Sequence, residues 1–368
     1  MSAFEFSAPY NNDIETLEEL IKLKDYNGCS IREIYLSGPQ QYSGSGRVMP
    51  EIDLKSLVDT IATIHSAGIR VNLLMNSTCE GINWYAEETF NKKMEYIRLL
   101  HEDYGVESIT VANPLYLRQI RKRFPDIEIC ASVLGDIDCV QKALIYRRAG
   151  ADVITPEVSI NRDLRLLKDI KEATGAELKL MVNEGCMYKC PFRKFHFNYT
   201  SHQSLEAIQE SNLFFADCQA IIGSDYSQIL KSCWIRPEDI EKYGGITSYF
   251  KIVGRGKSKN HVLRTVRAYA EQNWQGDLLD LLCASLNMFT LENGVYLDNK
   301  GLDKYNFFEK VTTCGHDCTR CSYCADVAAR EIRTGIMTRE KLEDFGMARV
   351  ADRLQARGKL VGNQGMKL

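Results

Sequence analysis

Val71-Asn72-Leu73-Leu74-Met75 and Ser108-Ile109-Thr110-Val111 are the stretches on which the fold is decided. Both are short, apolar-rich and without strict alternation, as strands of a parallel sheet covered on both faces are. Each follows a stretch with helical spacing, Leu54–Ala67 and Glu87–His101 respectively. The same unit recurs in both directions along the chain. Upstream, the strand-like Phe4–Ser7 precedes a helical Ile14–Lys24 and a second strand, Glu33–Ser37. Downstream, Leu115–Phe124 leads to Ile127–Ser132, Cys139–Ala149 to Asp152–Thr155, and Asp163–Thr174 to Glu177–Val182. After a long interruption, Tyr249–Val253 reads as the eighth strand and His261–Gln272 as its helix. Eight strands with a helix after nearly every one predict an α/β fold, a (β/α)8 TIM-like barrel over residues 1–274 with an insertion after strand seven. A doubly wound open sheet uses the same alternation and stays open as an alternative, although eight units favour the barrel. Residues 275–368 break the pattern and read as a C-terminal helical, cysteine-rich extension, with helices expected at Leu278–Leu291, Ala325–Thr334 and Arg339–Gln355.

The 368 residues are 45% hydrophobic and 26% charged, the composition of an ordinary globular protein. A formal net charge of -3 argues against a protein that coats nucleic acid. No run approaches the roughly twenty apolar residues that span a bilayer. Met1–Asp13 has neither a basic n-region nor an apolar core, so a cytoplasmic protein is expected. In a reducing compartment, clustered thiols read as metal ligands rather than disulfides.

Eight of the thirteen cysteines fall in two groups. Strand seven runs directly into Asn183-Glu184-Gly185-Cys186-Met187-Tyr188-Lys189-Cys190-Pro191, at the strand end where barrel enzymes place their chemistry. Cys218 lies in the insertion and Cys233 just before the eighth unit, so the fold must gather these four ligands. The alternative is four unrelated buried thiols. The second group, Cys314, Cys318, Cys321 and Cys324, has no room for the long spacer of a common zinc ribbon. Its tight steps are nearer to ferredoxin runs, which favours iron–sulfur over zinc.

Other residues on the same face could bind substrate. Gly254-Arg255-Gly256 follows the eighth strand, where barrels often bind phosphate. Lys251–Arg267 carries six basic residues and no acid, which suggests an anionic ligand or else a solvated basic helix face. The loop Ser37–Pro50 could present Arg47. Cys79 reads as a loop cysteine, a spare ligand or a reactive thiol. His196 and His202 flank the first cysteine group as proton donors, outer ligands or structural residues.

Met181-Val182-Asn183-Glu184-Gly185-Cys186, followed by Cys190-Pro191-Phe192-Arg193, resembles the cysteine signature of the collagenase-like peptidase U-32 family. Lys231-Ser232-Cys233-Trp234-Ile235-Arg236-Pro237-Glu238-Asp239-Ile240, then Phe250-Lys251-Ile252-Val253-Gly254-Arg255, is similar to its second signature. The resemblance spans roughly residues 1–272. It implies a TIM-like barrel holding an oxygen-sensitive [4Fe–4S] cluster on Cys186, Cys190, Cys218 and Cys233, and oxygen-independent hydroxylation of quinone precursors or RNA; other members carry a peptidase label. Cys218 stands farther from Cys190 than the family spacing, and the Cys314–Cys324 run has no counterpart in it.

The leading expectation is an iron–sulfur oxidoreductase, with one or two [4Fe–4S] clusters and zinc as the alternative at the C-terminal site. Asn183, Glu184, Arg193, His196 and Arg255 are the candidate catalytic and substrate-contacting residues. A small anionic substrate is expected, with RNA less favoured, and an electron donor or partner subunit could complete the system. The alternatives are a peptidase and a non-catalytic iron–sulfur subunit. Neither a Gly-x-Ser-x-Gly elbow nor a His-Glu-x-x-His helix is present to support hydrolysis.

Overall fold

A computed structural model describes residues 3–42, 44–206, 213–283 and 293–357. Eight strands run β1 Glu5–Pro9, β2 Cys29–Ser37, β3 Arg70–Met75, β4 Ser108–Val111, β5 Glu128–Ala131, β6 Val153–Ile154, β7 Glu177–Met181 and β8 Tyr249–Lys251. Each pairs in parallel with the next, and β8 pairs with β1. The sheet therefore closes, which excludes the open doubly wound alternative. A two-residue strand, Asp25–Tyr26, adds an antiparallel hairpin to the start of β2.

The helices between the strands begin where their sequences provide caps. Asp13, Asp53, Asn113, Asp163 and Ser258 each accept a backbone N–H of the first turn. Apolar residues on alternate strand positions, among them Ile34, Leu36, Leu73, Ile109, Ile129, Leu178, Leu180 and Phe250, face these helices and form the main core. This is the apolar signal that the strand sequences carried.

The barrel interior is polar and layered. At the bottom, the pairing of β1 with β2 slips by one residue between Phe6 and Ser7, leaving Arg32 opposite no β1 residue. Its guanidinium binds Glu5, Glu128 and Glu177 and lies over the Tyr249 ring. One layer higher, Lys179 of β7 pairs with Glu33 of β2 at 2.7 Å, both fully buried. Ser7 Oγ donates to the same carboxylate, and Asn72 links it to Ser108 and Thr110. Above that layer stand Lys251, Tyr35 and Arg255, at the C-terminal mouth.

The insertion after β7 supplies helices Arg193–Glu206, Leu213–Ser224 and Ser227–Lys231. The helix expected at Leu278–Leu291 is not formed over its described part. Leu278–Asp280 is a single 3-10 turn, and Cys283 makes a parallel bridge with Glu184; residues 284–292 lie outside the described residues. The helix Tyr323–Glu331 packs on Ser227–Lys231, and Ile332–Arg333 then pairs with Tyr296–Leu297. The expected Arg339–Gln355 helix is two, Arg339–Asp344 and Ala348–Ala356, parted at Gly346, whose φ of +71° ends the first. No described helix is long and apolar enough to cross a membrane.

Burial pushes the Glu33 carboxyl up, but Lys179 beside it more than offsets this and holds it down at about 2. The pair therefore contributes stability above the unfolded carboxylate range, and that contribution is lost as pH falls from about 4.5 toward 2. Glu33→Gln leaves Lys179 charged and unpaired, and urea unfolding at pH 7 is expected to show a loss of roughly 3–5 kcal/mol, with much of it recovered by adding Lys179→Met.

Candidate active site at the barrel mouth

The mouth of the barrel is a cavity walled by Tyr35, Arg47, Thr110, Glu184, Lys251 and Arg255, among others. Lys251 reaches it because it ends β8 in the inward register of Tyr249. Its Nζ lies 3.7 Å from the centroid of the Tyr35 ring, which is fixed by donation from Tyr35 Oη to Ile252 O at 2.9 Å. Among the described residues, no hydrogen bond or ion pair involves that Nζ. Burial pushes the Lys251 ammonium down to about 7, and Lys179 below and Arg255 above act in the same direction. Arg255 donates to Ser37 Oγ and, at 3.2 Å, to Ser45 Oγ, so its described partners are neutral hydroxyls. Arg47 completes the set of cations on the wall. Unmatched buried positive charge is costly.

Glu184 faces the same cavity with its charge already matched. Arg193 binds it through two nitrogens, at 3.0 and 3.2 Å, and lies 3.5 Å from Glu157. Both residues were expected to contact substrate; instead they neutralise each other in a buried pair. Asn183 is a second correction. Its side chain is fully buried, donating to Val253 O and Leu281 O at 2.9 Å and accepting from Val253 N at 2.7 Å, so it clamps the loop after β8. His196 stacks on Phe197, and burial followed by the nearby Arg47 pushes its imidazole down to about 4, leaving it neutral at pH 7. Of the expected contact residues, Glu184 and Arg255 line the cavity.

None of the thirteen cysteines is in a disulfide. Cys190 and Cys218 meet, and that contact pushes the Cys190 thiol down to about 7. Cys186 donates to Glu184 Oε1 at 3.2 Å, while Cys233 donates to Ser159 O at 3.3 Å. The two segments are tied by Ser232 Oγ donating to Cys186 O at 2.6 Å. Among the described residues, no three His, Cys, Asp or Glu side chains share a point at metal-binding distance. Of the second group, Cys314, Cys318 and Cys321 are exposed, and Cys324 packs with Cys190 and Cys218 on one apolar cluster that includes Met187 and Trp234. His316 stacks on Tyr188 at 4.5 Å, which lays this run against the first group. An iron–sulfur cluster needs soft sulfur donors in a sheltered shell. Cys186, Cys190, Cys218 and Cys233 are donors of that kind, with Cys190 and Cys218 in contact and the Cys186 and Cys233 thiols turned to local oxygen acceptors.

The basic strip Lys251–Arg267 does not form one face. Lys251 and Arg255 enter the cavity, Lys259 pairs with Glu15, and Arg264 pairs with Asp344. Cys79 sits 3.2 Å from His202 Nε2. Sequence reasoning missed Tyr35, whose role depends on closure of the barrel, and a buried relay. In that relay Cys283 Sγ lies 3.4 Å from His261 Nε2, and His261 Nδ1 lies 3.5 Å from Asp344. The three residues span the barrel and both parts of the extension, so no local spacing signals them.

The sequence pattern of peptidase family U32 matches residues 15–204. An uncharacterized protease of Methanocaldococcus jannaschii is 29% identical over 340 residues, covering 89% of this chain and 99% of that protein. The solved structure of a U32 peptidase aligns with a TM-score of 0.51 at 19% identity, over 68% of this chain and 92% of that one, a likeness of fold. With just over half of its 368 residues carrying the pattern, from the first helix into the insertion that holds Cys186 and Cys190, the chain belongs to peptidase family U32.

Proposed function

We propose that this protein is an oxidoreductase that takes a small anionic substrate into the barrel mouth beside an iron–sulfur cluster held by Cys186, Cys190, Cys218 and Cys233. The observation that carries the reading is the position of Glu184, whose one carboxylate faces the cavity, binds Arg193 and accepts from Cys186. It joins the thiol set to the place where substrate would sit. Arg47 and Arg255 hold the anion, and the closed barrel wall keeps bulk water from their charges. When bound, the cluster supplies electron transfer, or Lewis acidity at an open iron. Cys314, Cys318, Cys321 and Cys324 would hold a second centre, iron–sulfur or zinc, on the route to an electron donor or partner subunit. Thiols acting as metal ligands fit a reducing, cytoplasmic setting. Oxygen-independent hydroxylation is the reaction type that fits this equipment.

A second reading, peptide hydrolysis, is supported by membership of peptidase family U32, with Cys283, His261 and Asp344 as a thiol–imidazole–carboxylate set buried in the core. Cleavage of a peptide by iron-free protein that is lost in Cys283→Ala would select it.

Anaerobic reconstitution is expected to load about four irons per chain on the barrel thiols, with broad visible absorbance, and Cys186→Ala or Cys190→Ala to lose both. Iron uptake that ignores these substitutions removes the cluster from the proposal. Titration calorimetry with inorganic phosphate is expected to show binding that weakens with salt. Arg255→Gln should cost about 1.5–3 kcal/mol of that affinity, roughly ten- to a hundredfold.

A further inference from the structure

The cavity holds one group that anion binding alone does not use. Lys251 Nζ stands in the wall of the mouth, at the C-terminal end of a barrel strand, where reacting side chains of such barrels project. The carboxylate that would ordinarily neutralise it, Glu33, lies one layer down and is paired with Lys179 at 2.7 Å. The groups facing Lys251 are Tyr35, Lys179, Glu33, Cys130 and Arg255. Four of these are bound elsewhere: Tyr35 donates to Ile252 O, Glu33 and Lys179 hold each other, and Cys130 contacts Thr155. A lysine placed among cations in a desolvated pocket gives up its proton more readily, which supplies the free amine that attacks carbonyl carbon. Arg255 and Arg47 stand on the same wall, so a ligand whose anionic group they hold would put an adjacent carbon near that amine.

We propose that Lys251 is a catalytic amine that forms a Schiff base with a small oxo acid, whose carboxylate is held by Arg255 and Arg47. This names the substrate class of the anionic site and rests on that part of the proposed function, while being independent of the cluster. In the step, the Nζ lone pair forms a bond to the carbonyl carbon and the C=O π pair moves to oxygen. The nitrogen gives up a proton, the oxygen gains one, and the resulting carbinolamine loses water as the C=N bond forms. No oxidant or reductant is consumed. The polar wall at this level, Thr110, Ser132 and Thr155, supplies hydroxyls that can solvate the departing water.

The test is reductive trapping. The full chain, both iron-loaded and iron-free, is incubated at pH 7 with pyruvate and sodium cyanoborohydride, digested, and mapped by mass spectrometry. The expected result is one reduced pyruvate per chain, on the peptide carrying Lys251, with other lysines unmodified at the same exposure. Lys251→Arg should lose the label; should that variant misfold, mapping of the native chain decides alone. Label spread over surface lysines, or none at Lys251, overturns the proposal. Acetone in place of pyruvate separates the two parts: preference for pyruvate, lost in Arg255→Gln, supports the oxo-acid site. Equal trapping of acetone and pyruvate at Lys251 keeps the amine and overturns the oxo-acid class, while the phosphate titration decides the anionic site separately.

Discussion

The ion pair between Glu33 and Lys179 crosses the centre of the barrel, and the rest of the interior is arranged around it. Two opposite charges deprived of water are stable only when each also finds hydrogen-bond partners. Ser7 and Asn72 provide them for Glu33, and Tyr249 borders Lys179 from below. The pair also determines what happens one layer higher. With its carboxylate engaged, the interior offers Lys251 no acid of its own, and Arg255 stands on serine hydroxyls. Positive charge at the mouth thus follows from how the middle layer is satisfied.

Strand and helix order was legible because burial against the outer helices places apolar residues in each strand, and because Asp and Ser caps mark where helices start. Closure was legible only as a count of units, and pairing of β8 with β1 is what turned the count into a barrel. Side-chain roles were harder to read. Glu184 and Arg193 are nine residues apart and each resembles a substrate contact, yet their mutual pairing is a three-dimensional fact. Asn183 likewise serves backbone groups of Val253 and Leu281 that no local spacing brings near it. Arg255 could be placed from sequence because the loop after the eighth strand faces the mouth in any barrel.

The cysteines divide differently in space than along the chain. Cys190 and Cys218, from the barrel group, share an apolar cluster with Cys324 of the C-terminal run, and Tyr188 and His316 stack between the two sets. Sequence proximity had separated them into two fours. The fold brings the exposed run beside the buried thiols.

The parallel bridge between Glu184 and Cys283 makes the extension a continuation of the barrel wall. Gly185 N and Cys283 N each donate across it at 2.8 Å, and Lys341 is anchored on Asp277 nearby. The segment that leaves β7 with the Glu184 carboxylate thus borrows its rigidity from residues a hundred positions later. Any lineage that shed the last quarter of the chain would keep the strands of a complete barrel, yet would have to find another splint for Glu184.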